Sequence, residues 1–198
     1  MSLQGKALRA AIEVAPFIGS AAVQYRATAM TYFRTLESAE GAWLRNNRFT
    51  PAGLSWALYT ADGMDIALRE ATQGFQGAFH QPEIPAHAVY PVHVQAARIL
   101  DLTDPGIRAL LGVSLMTLTG DWRGAALLKR QYPEERVETH EIGAAAFEVG
   151  FQGIRYPSAF DAARANTVFF TEHLPTPPEA ILPDIVQQAR ALLPTEEP

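Results

Sequence analysis

The stretch Asn46–Glu70 places a turn, a strand and a helix in immediate succession. Pro51 and Gly53 are typical of a turn, because proline fixes φ and glycine adopts positive φ at no steric cost. The apolar run 56–60 predicts a strand, and Asp62, just beyond it, is a candidate N-cap for the helix that follows. A strand followed so closely by a helix favours a mixed fold in which both kinds of element share one core.

The helix after this strand is predicted from apolar residues that recur at helical spacing. Glu70 lies away from this stripe, and no basic residue stands three or four positions from it, so no ion pair within the helix neutralises it. Such a glutamate is either solvated on the surface or part of the wall of a pocket. Under the second interpretation it would converge with Arg48 in the turn and Tyr59 at the strand end. The predicted core-facing stripe is Met64, Ala67, Leu68, Ala71 and Phe75.

The rest of the chain alternates helix-like and strand-like segments without the regular rhythm of a parallel α/β fold. Neither G-x-G-x-x-G nor the P-loop pattern occurs, which disfavours Rossmann and P-loop folds, and we predict the α+β class. Predicted strands cover 21–28 (with Arg26), 56–60, 86–99, 153–158 and 167–170. Predicted helices cover 1–20, the segment after Asp62, 105–111, 115–131, 137–149 and 184–193, the last packing through Ile185, Ala189 and Leu192.

Composition excludes several kinds of site and partner. The chain contains no cysteine, which rules out disulfides, zinc–thiolate sites and thiol nucleophiles. Its net charge is −5 with no run of Lys or Arg, so we expect no direct binding to nucleic acid or to an anionic membrane. No apolar run reaches the roughly 18 residues of a membrane span, and we expect a cytoplasmic protein. The spacing of His80, His87 and His93 fits no standard metal motif, so no metal is expected.

Three segments carry a resemblance when they are taken together and in this order. They are YRAT, with Arg26; NNRFTPAG followed by ALYTA and ALREA, with Arg48, Tyr59 and Glu70; and THEIGAAAFEVGFQGIRYPSAFDAARANTVFF, with Ser158. Their combination resembles the RES domain, the toxin half of a bacterial toxin–antitoxin pair. The family takes its name from an arginine, a glutamate and a serine.

The sequence departs from the family pattern next to the second arginine. The family commonly shows Gly-Arg-Trp/Phe-Asn there, whereas this chain has Asn47-Arg48-Phe49-Thr50. Asparagine, like glycine, visits left-handed backbone conformations, but Thr50 removes an amide that would orient the arginine. A smaller departure is Thr139-His140, where Thr-Gln is more usual. Thr50 is the main motive for an alternative interpretation, a catalytically idle RES-like module that acts only by binding another protein.

The resemblance implies the fold of mono-ADP-ribosyltransferase toxins, with two small β-sheets packed together, flanking helices and a cleft for NAD between them. It covers about residues 23–172 of a single expected domain, 1–198, with an N-terminal helix in 1–20 and a proline-rich segment and helix in 174–198. It also implies an NAD-cleaving enzyme that breaks the nicotinamide–ribose bond and needs no metal. Family members pass the ADP-ribose to water, to inorganic phosphate or to a protein, and an Xre-like antitoxin usually silences them.

The same resemblance implies roles for four catalytic candidates. Glu70 is expected at the ribose hydroxyls and the developing positive charge, as in glycoside hydrolysis. Arg26 and Arg48 are expected to bind the diphosphate or the adjoining ribose, because a planar guanidinium binds such groups bidentately. Tyr59 is expected to stack on nicotinamide or to hydrogen-bond near it. The structural alternatives are a surface glutamate, salt-bridged arginines at strand edges and a core tyrosine.

Two further residues complete the expected binding set, which also includes Arg26, Arg48 and Tyr59. Ser158 is expected to hydrogen-bond a ribose or phosphate oxygen or to position Glu70; it is not a nucleophile, because no His/Asp pair is arranged near it. Asn166 either caps the loop after Ser158 or contacts the ligand. Core or packing roles are expected for Phe49, Phe169, Trp43 and Trp122.

Overall fold

The structure, a computed structural model, describes residues 3–73 and 84–191. The strands are β1 (Phe17–Ser20), β2 (Val23–Ala29), β3 (Ala57–Ala61), β4 (His87–His93), β5 (Ala96–Asp101), β6 (Gly153–Pro157), β7 (Ala165–Phe170) and β8 (Glu179–Ala180). The α-helices are α1 (Gly5–Glu13), α2 (Glu40–Leu44), α3 (Met64–Thr72), α4 (Pro105–Leu111), α5 (Leu115–Thr119), α6 (Trp122–Gln131), α7 (Glu138–Glu148) and α8 (Asp184–Ala191). Within these two ranges, no helix is long and apolar enough to cross a membrane.

The described strands form one mixed sheet of eight, in the order β1-β5-β6-β7-β3-β2-β4-β8. Strands β5 and β6 run parallel, and the other neighbours pair antiparallel. The α+β class is therefore confirmed. The expected detail of two separate small sheets is not what this part of the chain forms, because β2 and β3 join the two halves into one.

The junction between β2 and β3 is the shortest pairing in the sheet. Strand β2 pairs with β4 over its full seven residues, and β3 pairs with β7 over its full five. Between themselves, β2 and β3 pair only at Tyr25 and Ala61. Away from this position the two strands separate, so the sheet opens there into a cleft between its halves.

Buried apolar side chains cover both faces of the sheet. Adjacent residues on a strand point to opposite faces, so Val168 and Phe170 join one core group while Phe169 joins the other. The first group includes residues from α1, α4, α5 and α7. Phe49 and Phe169 are fully buried, as predicted. The two layers of packing hold the strands that carry the candidate site residues.

Local signals account for several element ends. The Asp104 carboxylate accepts hydrogen bonds from the amides of Gly106 and Ile107 at the start of α4, with Pro105 in the first turn. Gly150 follows α7 with a φ of 81°, a left-handed conformation in which glycine avoids the steric cost of a Cβ atom. Both helix ends lie where the sequence predicts them.

The N-terminal helix is shorter than predicted. It ends at Glu13, and Phe17–Ser20 form an edge strand that pairs with β5. Pro16 stands between the two elements, and a proline disfavours the helical conformation of the residue before it. Apolar residues on both sides of this proline hide the change from helix to strand in the sequence.

The predicted apolar stripe of α3 is also wrong in part. Met64 and Leu68 are 53% and 40% exposed, whereas Ala67 is buried as predicted and Ile66, which is outside the predicted stripe, is buried as well. Glu70 follows Ile66 by four positions, so the two side chains share a face and Glu70 turns inward. Phe75, the last residue of the predicted stripe, lies outside the described residues. The error in the stripe is thus the reason why Glu70 looks peripheral in the sequence.

The predicted cap of α3 is different in the structure. The N-cap residue is Gly63, which makes no side-chain cap. The Asp62 carboxylate instead accepts hydrogen bonds from Arg164 Nε at 2.8 Å and from the Ala165 amide at 2.9 Å. Asp62 therefore ties the start of α3 to the start of β7, an interaction between distant parts of the chain that local capping rules do not reveal.

The C-terminal helix α8 does not pack through Ile185, which is 75% exposed. Its attachment is polar: Arg190 forms an ion pair with the Glu37 carboxylate and donates a hydrogen bond to the Arg34 carbonyl oxygen. Leu192 and the Ala189 side chain, the other members of the predicted face, lie outside the described part. The helix thus fastens the segment that follows β2.

Candidate functional site

A cavity of about 460 Å³ lies at the junction where β2 and β3 separate. Five of the six residues singled out in the sequence line its wall: Arg26, Arg48, Tyr59, Glu70 and Asn166. They come from β2, the turn before β3, β3 itself, α3 and β7. The sixth residue, Ser158, lies behind the wall in contact with Glu70. The structure thus brings the whole predicted set to one place.

The Glu70 carboxylate is fixed by two hydrogen bonds that end on the same oxygen. Oε1 accepts a hydrogen bond from Ser158 Oγ at 3.1 Å and from Asn166 Nδ2 at 2.7 Å. Ser158 Oγ in turn accepts one from the Phe160 amide, so the serine hydroxyl is oriented toward the glutamate. Glu70 Oε2 has no protein partner among the described residues. The arrangement holds one carboxylate oxygen still and leaves the other for a ligand.

Ser158 and Asn166 therefore both donate hydrogen bonds to Glu70. Ser158 is 3% exposed and positions Glu70, one of the two roles considered for it from the sequence. Asn166 is 2% exposed and lies within β7, so it does not cap the loop after Ser158. Its Nδ2 is used by Glu70, while its buried Oδ1 has no hydrogen-bond partner among the described residues. A flipped amide would place two oxygens against each other, which supports this assignment.

Arg48 is buried, with 7% of its surface exposed. Its Nη1 donates hydrogen bonds to the carbonyl oxygens of Leu118 at 2.7 Å and Gly120 at 3.0 Å, at the end of α5. Carbonyl oxygens at the end of a helix lack partners within the helix and attract a cation. In the described part of the chain, Nη2 of Arg48 makes no hydrogen bond. One edge of the guanidinium is thus anchored, and the other is available to an anion in the cavity.

Arg26 occupies the opposite strand of the junction. Its Nη1 and Nη2 donate hydrogen bonds of 2.9 Å to the carbonyl oxygens of Leu36 and Ser38. Burial lowers the pKa of Arg26 from its usual value, while the nearby Tyr90 and Glu37 act in the opposite direction. The arginine therefore holds the segment after β2 against the cavity and contributes positive charge to its wall.

Tyr59 is hydrogen-bonded to the turn that carries Arg48. Its hydroxyl accepts a hydrogen bond from the Phe49 amide at 3.1 Å and shares another with Thr50 Oγ1 at 3.0 Å. Burial raises the pKa of Tyr59 to about 12, so the phenol is neutral at ordinary pH. Thr50 thus supplies a hydroxyl group to this contact, and the Arg48 turn is fixed without the amide that the family pattern usually has there.

Helix α7 supports the same turn with two residues that the sequence did not single out. His140 Nε2 lies 2.8 Å from the Asn47 carbonyl oxygen, which only accepts, so Nε2 carries the proton and donates. A Cβ atom on Gly143 would lie 1.7 Å from the Phe49 carbonyl oxygen, so only glycine allows the helix to approach so closely. The signal for both was present in the THEIG motif, but nothing local connects it to Arg48.

The burial of His140 predicts a pH dependence of stability. Burial lowers the pKa of His140 from the model-peptide value of 6.5, so the unfolded chain takes up the proton more readily than the folded protein. The free energy of unfolding should therefore be highest above about pH 6.5 and fall as the pH is lowered through it. Urea unfolding at about pH 7.5 and about pH 5.5 measures this loss. His140→Gln keeps an N–H donor and should lose less stability than the wild type between the two pH values. An equal loss in the two proteins would show that His140 is not the source of the pH dependence.

The charge on the cavity wall is opposite to that of the chain. Four arginines and two glutamates line the cavity, whereas the net charge of the chain is −5. Two of these arginines are Arg45, which directly follows α2, and Arg123 on α6. A concave wall with clustered positive charge attracts anions. No group of three or more His, Asp or Glu side chains within residues 3–73 and 84–191 is arranged to hold a metal ion.

Two aromatic residues also line the cavity. One was expected to serve only in packing, and the other was not identified from the sequence. Trp122, expected to serve packing, lines the cavity at the start of α6 and contacts His140, with ring centroids 5.9 Å apart. Tyr156, on β6, lines the cavity and packs its ring against Phe49 at 4.8 Å. Trp43 stacks on Trp56, in agreement with a packing role.

The chain is similar to known proteins in sequence and in fold. The family model of the RES domain matches residues 20–192. The NAD(+) phosphorylase MbcT of Mycobacterium tuberculosis and that of Mycobacterium bovis are each 29% identical to the chain over 126 residues, or 62% of this chain. The match spans 60% of the length of these relatives.

A solved structure matches over a longer stretch. In the crystal structure of the M. tuberculosis MbcT–MbcA toxin–antitoxin complex, one chain superposes with a TM-score of 0.65 at 23% identity. The superposition covers 94% of this chain and 98% of that chain, so the two share a fold. Since the RES family model also spans most of the sequence, the chain belongs to the RES domain family.

Proposed function

We propose that this protein is an NAD-consuming toxin that cleaves the bond between nicotinamide and ribose. The observation that carries the proposal is the state of the Glu70 carboxylate. Its Oε1 is held by Ser158 and Asn166, while its Oε2 has no partner among the described residues. Glu70 lines the same cavity as Arg26 and Arg48. The cavity volume of about 460 Å³ is in the range of small-molecule sites, roughly 300–1,000 Å³. Membership of the RES domain family supports the same activity.

The proposed chemistry uses the carboxylate where positive charge develops. Nicotinamide in NAD is a pyridinium and leaves as a neutral ring, so no strong general acid is needed. As the C–N bond breaks, its electron pair goes to the ring nitrogen and the ribose gains oxocarbenium character. Glu70 Oε2 would bind a ribose hydroxyl and stabilise this charge, because a fixed carboxylate needs no reorganisation during the reaction.

The arginines would hold the diphosphate of the substrate. Arg48 has its Nη2 free of described protein partners, and its Nη1 is anchored, so it presents a preorganised donor to an anion. Arg26 and Arg48 both line the cavity, and contacts from them to the diphosphate would hold the reacting bond beside Glu70. Tyr59 acts in this proposal by orienting the Arg48 turn rather than by stacking on nicotinamide.

We propose inorganic phosphate as the acceptor of the ADP-ribose. The relatives that match carry the name NAD(+) phosphorylase, and the arginine-rich wall favours an anionic nucleophile over water or a protein side chain. In this reaction a phosphate oxygen forms a bond to the anomeric carbon as nicotinamide leaves, and the product is a phosphorylated ADP-ribose. Hydrolysis and transfer to a protein are the competing outcomes that product analysis separates.

We further propose that a protein antitoxin silences this activity in the cytoplasm. A solved structure with a similar fold is a toxin–antitoxin complex of MbcT with MbcA. The cytoplasm is where a toxin that consumes NAD would meet its substrate. One catalytic domain over residues 1–198 is part of the same proposal, since a single sheet supplies the cavity and the family model matches 20–192.

Incubation of the purified protein with NAD tests the proposal. We expect nicotinamide to be released, and faster when phosphate is present than when it is absent. Mass spectrometry of the products should detect the phosphorylated ADP-ribose. No release with or without phosphate, and none with a cell extract as a source of protein acceptors, would contradict the activity and favour a module that acts only by binding.

A further inference from the structure

Tyr156 carries a polar group that the mechanism above does not use. The residue lies on β6, is 5% exposed and lines the cavity. In the part of the chain that the structure describes, its hydroxyl makes no hydrogen bond, and the hydroxyl oxygen is not fully buried. The hydroxyl therefore reaches the cavity surface. A polar group at the end of an otherwise buried side chain usually has a partner.

The position of Tyr156 connects it with the fixed carboxylate. Ser158 stands two positions after Tyr156, directly beyond the end of β6. Tyr156 also pairs across the sheet with Asn166. Ser158 and Asn166 are the two residues that hold Glu70 Oε1. Tyr156 thus neighbours both groups that position the glutamate, and it lines the cavity together with Asn166.

The phenol of Tyr156 is a donor at ordinary pH. Burial raises the pKa of Tyr156 well above its usual value, and the nearby Tyr59 and Glu70 raise it further, while Arg48 acts against them. The neutral hydroxyl can give its hydrogen to an acceptor that enters the cavity. Because Glu70 is close enough to disfavour the phenolate, an acceptor beside Tyr156 is more favourable as a neutral oxygen than as an anion.

We propose that the Tyr156 hydroxyl donates a hydrogen bond to a neutral oxygen of the ribose that Glu70 binds. The inference rests on the proposed cleavage of NAD and adds a substrate-binding residue to it. The ribose carries several hydroxyl oxygens within a few bonds of one another, so one can donate to Glu70 Oε2 while another accepts from Tyr156. Tyr156 would then select for a ribose in the correct position, whereas the diphosphate and the acceptor phosphate lie toward the arginines.

Tyr156→Phe tests the proposal with little disturbance of packing, because the ring against Phe49 is kept. We expect the KM for NAD to rise about fivefold with kcat little changed, as for a neutral hydrogen bond made before and during bond cleavage. The KM for phosphate should not change. The melting temperature without ligand should be equal or higher, because the lost hydroxyl has no described protein partner. NAD should raise the melting temperature of the variant less than that of the wild type.

The matched control is Tyr132→Phe, a tyrosine that is 51% exposed and lies off the cavity wall, and it should leave every quantity unchanged. An unchanged KM for NAD in Tyr156→Phe, or an increase in the KM for phosphate instead, would overturn the inference while the proposed function stands. A marked fall in the melting temperature without ligand would assign Tyr156 a structural role and overturn it as well. A wild type that neither binds nor cleaves NAD would remove both proposals.

Discussion

Replacing Glu70 by glutamine should slow nicotinamide release by about 100-fold to 1,000-fold and leave the fold intact. Glutamine has nearly the same shape, and its side-chain oxygen can still accept from Ser158 and Asn166 as Oε1 of Glu70 does. It lacks the negative charge that opposes the positive charge on the ribose. The loss should therefore appear in kcat, since the interaction with that charge exists mainly in the transition state.

Initial rates of nicotinamide release at saturating NAD measure this effect, and thermal unfolding checks the fold. Glu148→Gln is the control, because Glu148 is exposed at the end of α7 and pairs with Arg9 on the surface. It should change the rate by less than about twofold, as exposed ion pairs contribute little. A Glu70→Gln variant with the rate of the wild type would show that the carboxylate charge does no catalytic work, and the proposed mechanism would have to be abandoned.

Much of the fold was predictable because its signals are local. Asp104-Pro105 opens a helix and Gly150 ends one through contacts within a few residues, and both positions agree with the structure. The strand with Tyr59 is likewise evident from a short apolar run after a turn, and the strand with Arg26 from a loose alternation of side chains. By contrast, the pairing of β2 with β3 at a single position depends on how the strands meet, and no pattern within either strand encodes it.

The candidate site was predictable as a set of residues but not as a set of contacts. Arg48, Glu70 and Ser158 were identified through resemblance, and the structure brings them to one cavity or directly behind its wall. Their hydrogen-bond partners come from far along the chain: Arg48 is anchored by carbonyl oxygens of Leu118 and Gly120. Backbone acceptors have no signature in a sequence, because every residue carries one.

His140 illustrates how a departure from a family pattern becomes intelligible only in three dimensions. Glutamine is more usual at this position, and the substitution looked unimportant in the sequence. In the structure the Nε2–H group of His140 donates to the Asn47 carbonyl oxygen, and a glutamine amide offers the same kind of donor. The two residue types thus share the group that fixes the Arg48 turn, although only histidine can take up a proton near neutral pH.

Replacing Gly143 by alanine should destabilise the protein and disable the site at once. Alanine within a helix is ordinarily more stable than glycine by about 0.5–1 kcal/mol. Here the added Cβ atom would lie 1.7 Å from the carbonyl oxygen of Phe49 and 2.7 Å from its carbonyl carbon. Both are backbone atoms that no change of rotamer can move, so α7 or the turn has to shift. Overpacking of this kind costs about 1–3 kcal/mol.

The shift would fall on the residues that hold Arg48. Phe49 follows Arg48 directly, and its amide donates to the Tyr59 hydroxyl. Moving the Phe49 carbonyl therefore displaces Arg48 and the contact with Tyr59. We expect a lower melting temperature and a loss of nicotinamide release larger than the unfolded fraction explains. Gly41→Ala is the stability control, since its Cβ position has no heavy atom within 4 Å and the variant should be at least as stable as the wild type. Because the clash is with the turn rather than with the ligand, unchanged activity in Gly143→Ala would mean that the geometry of the Arg48 turn does not limit catalysis.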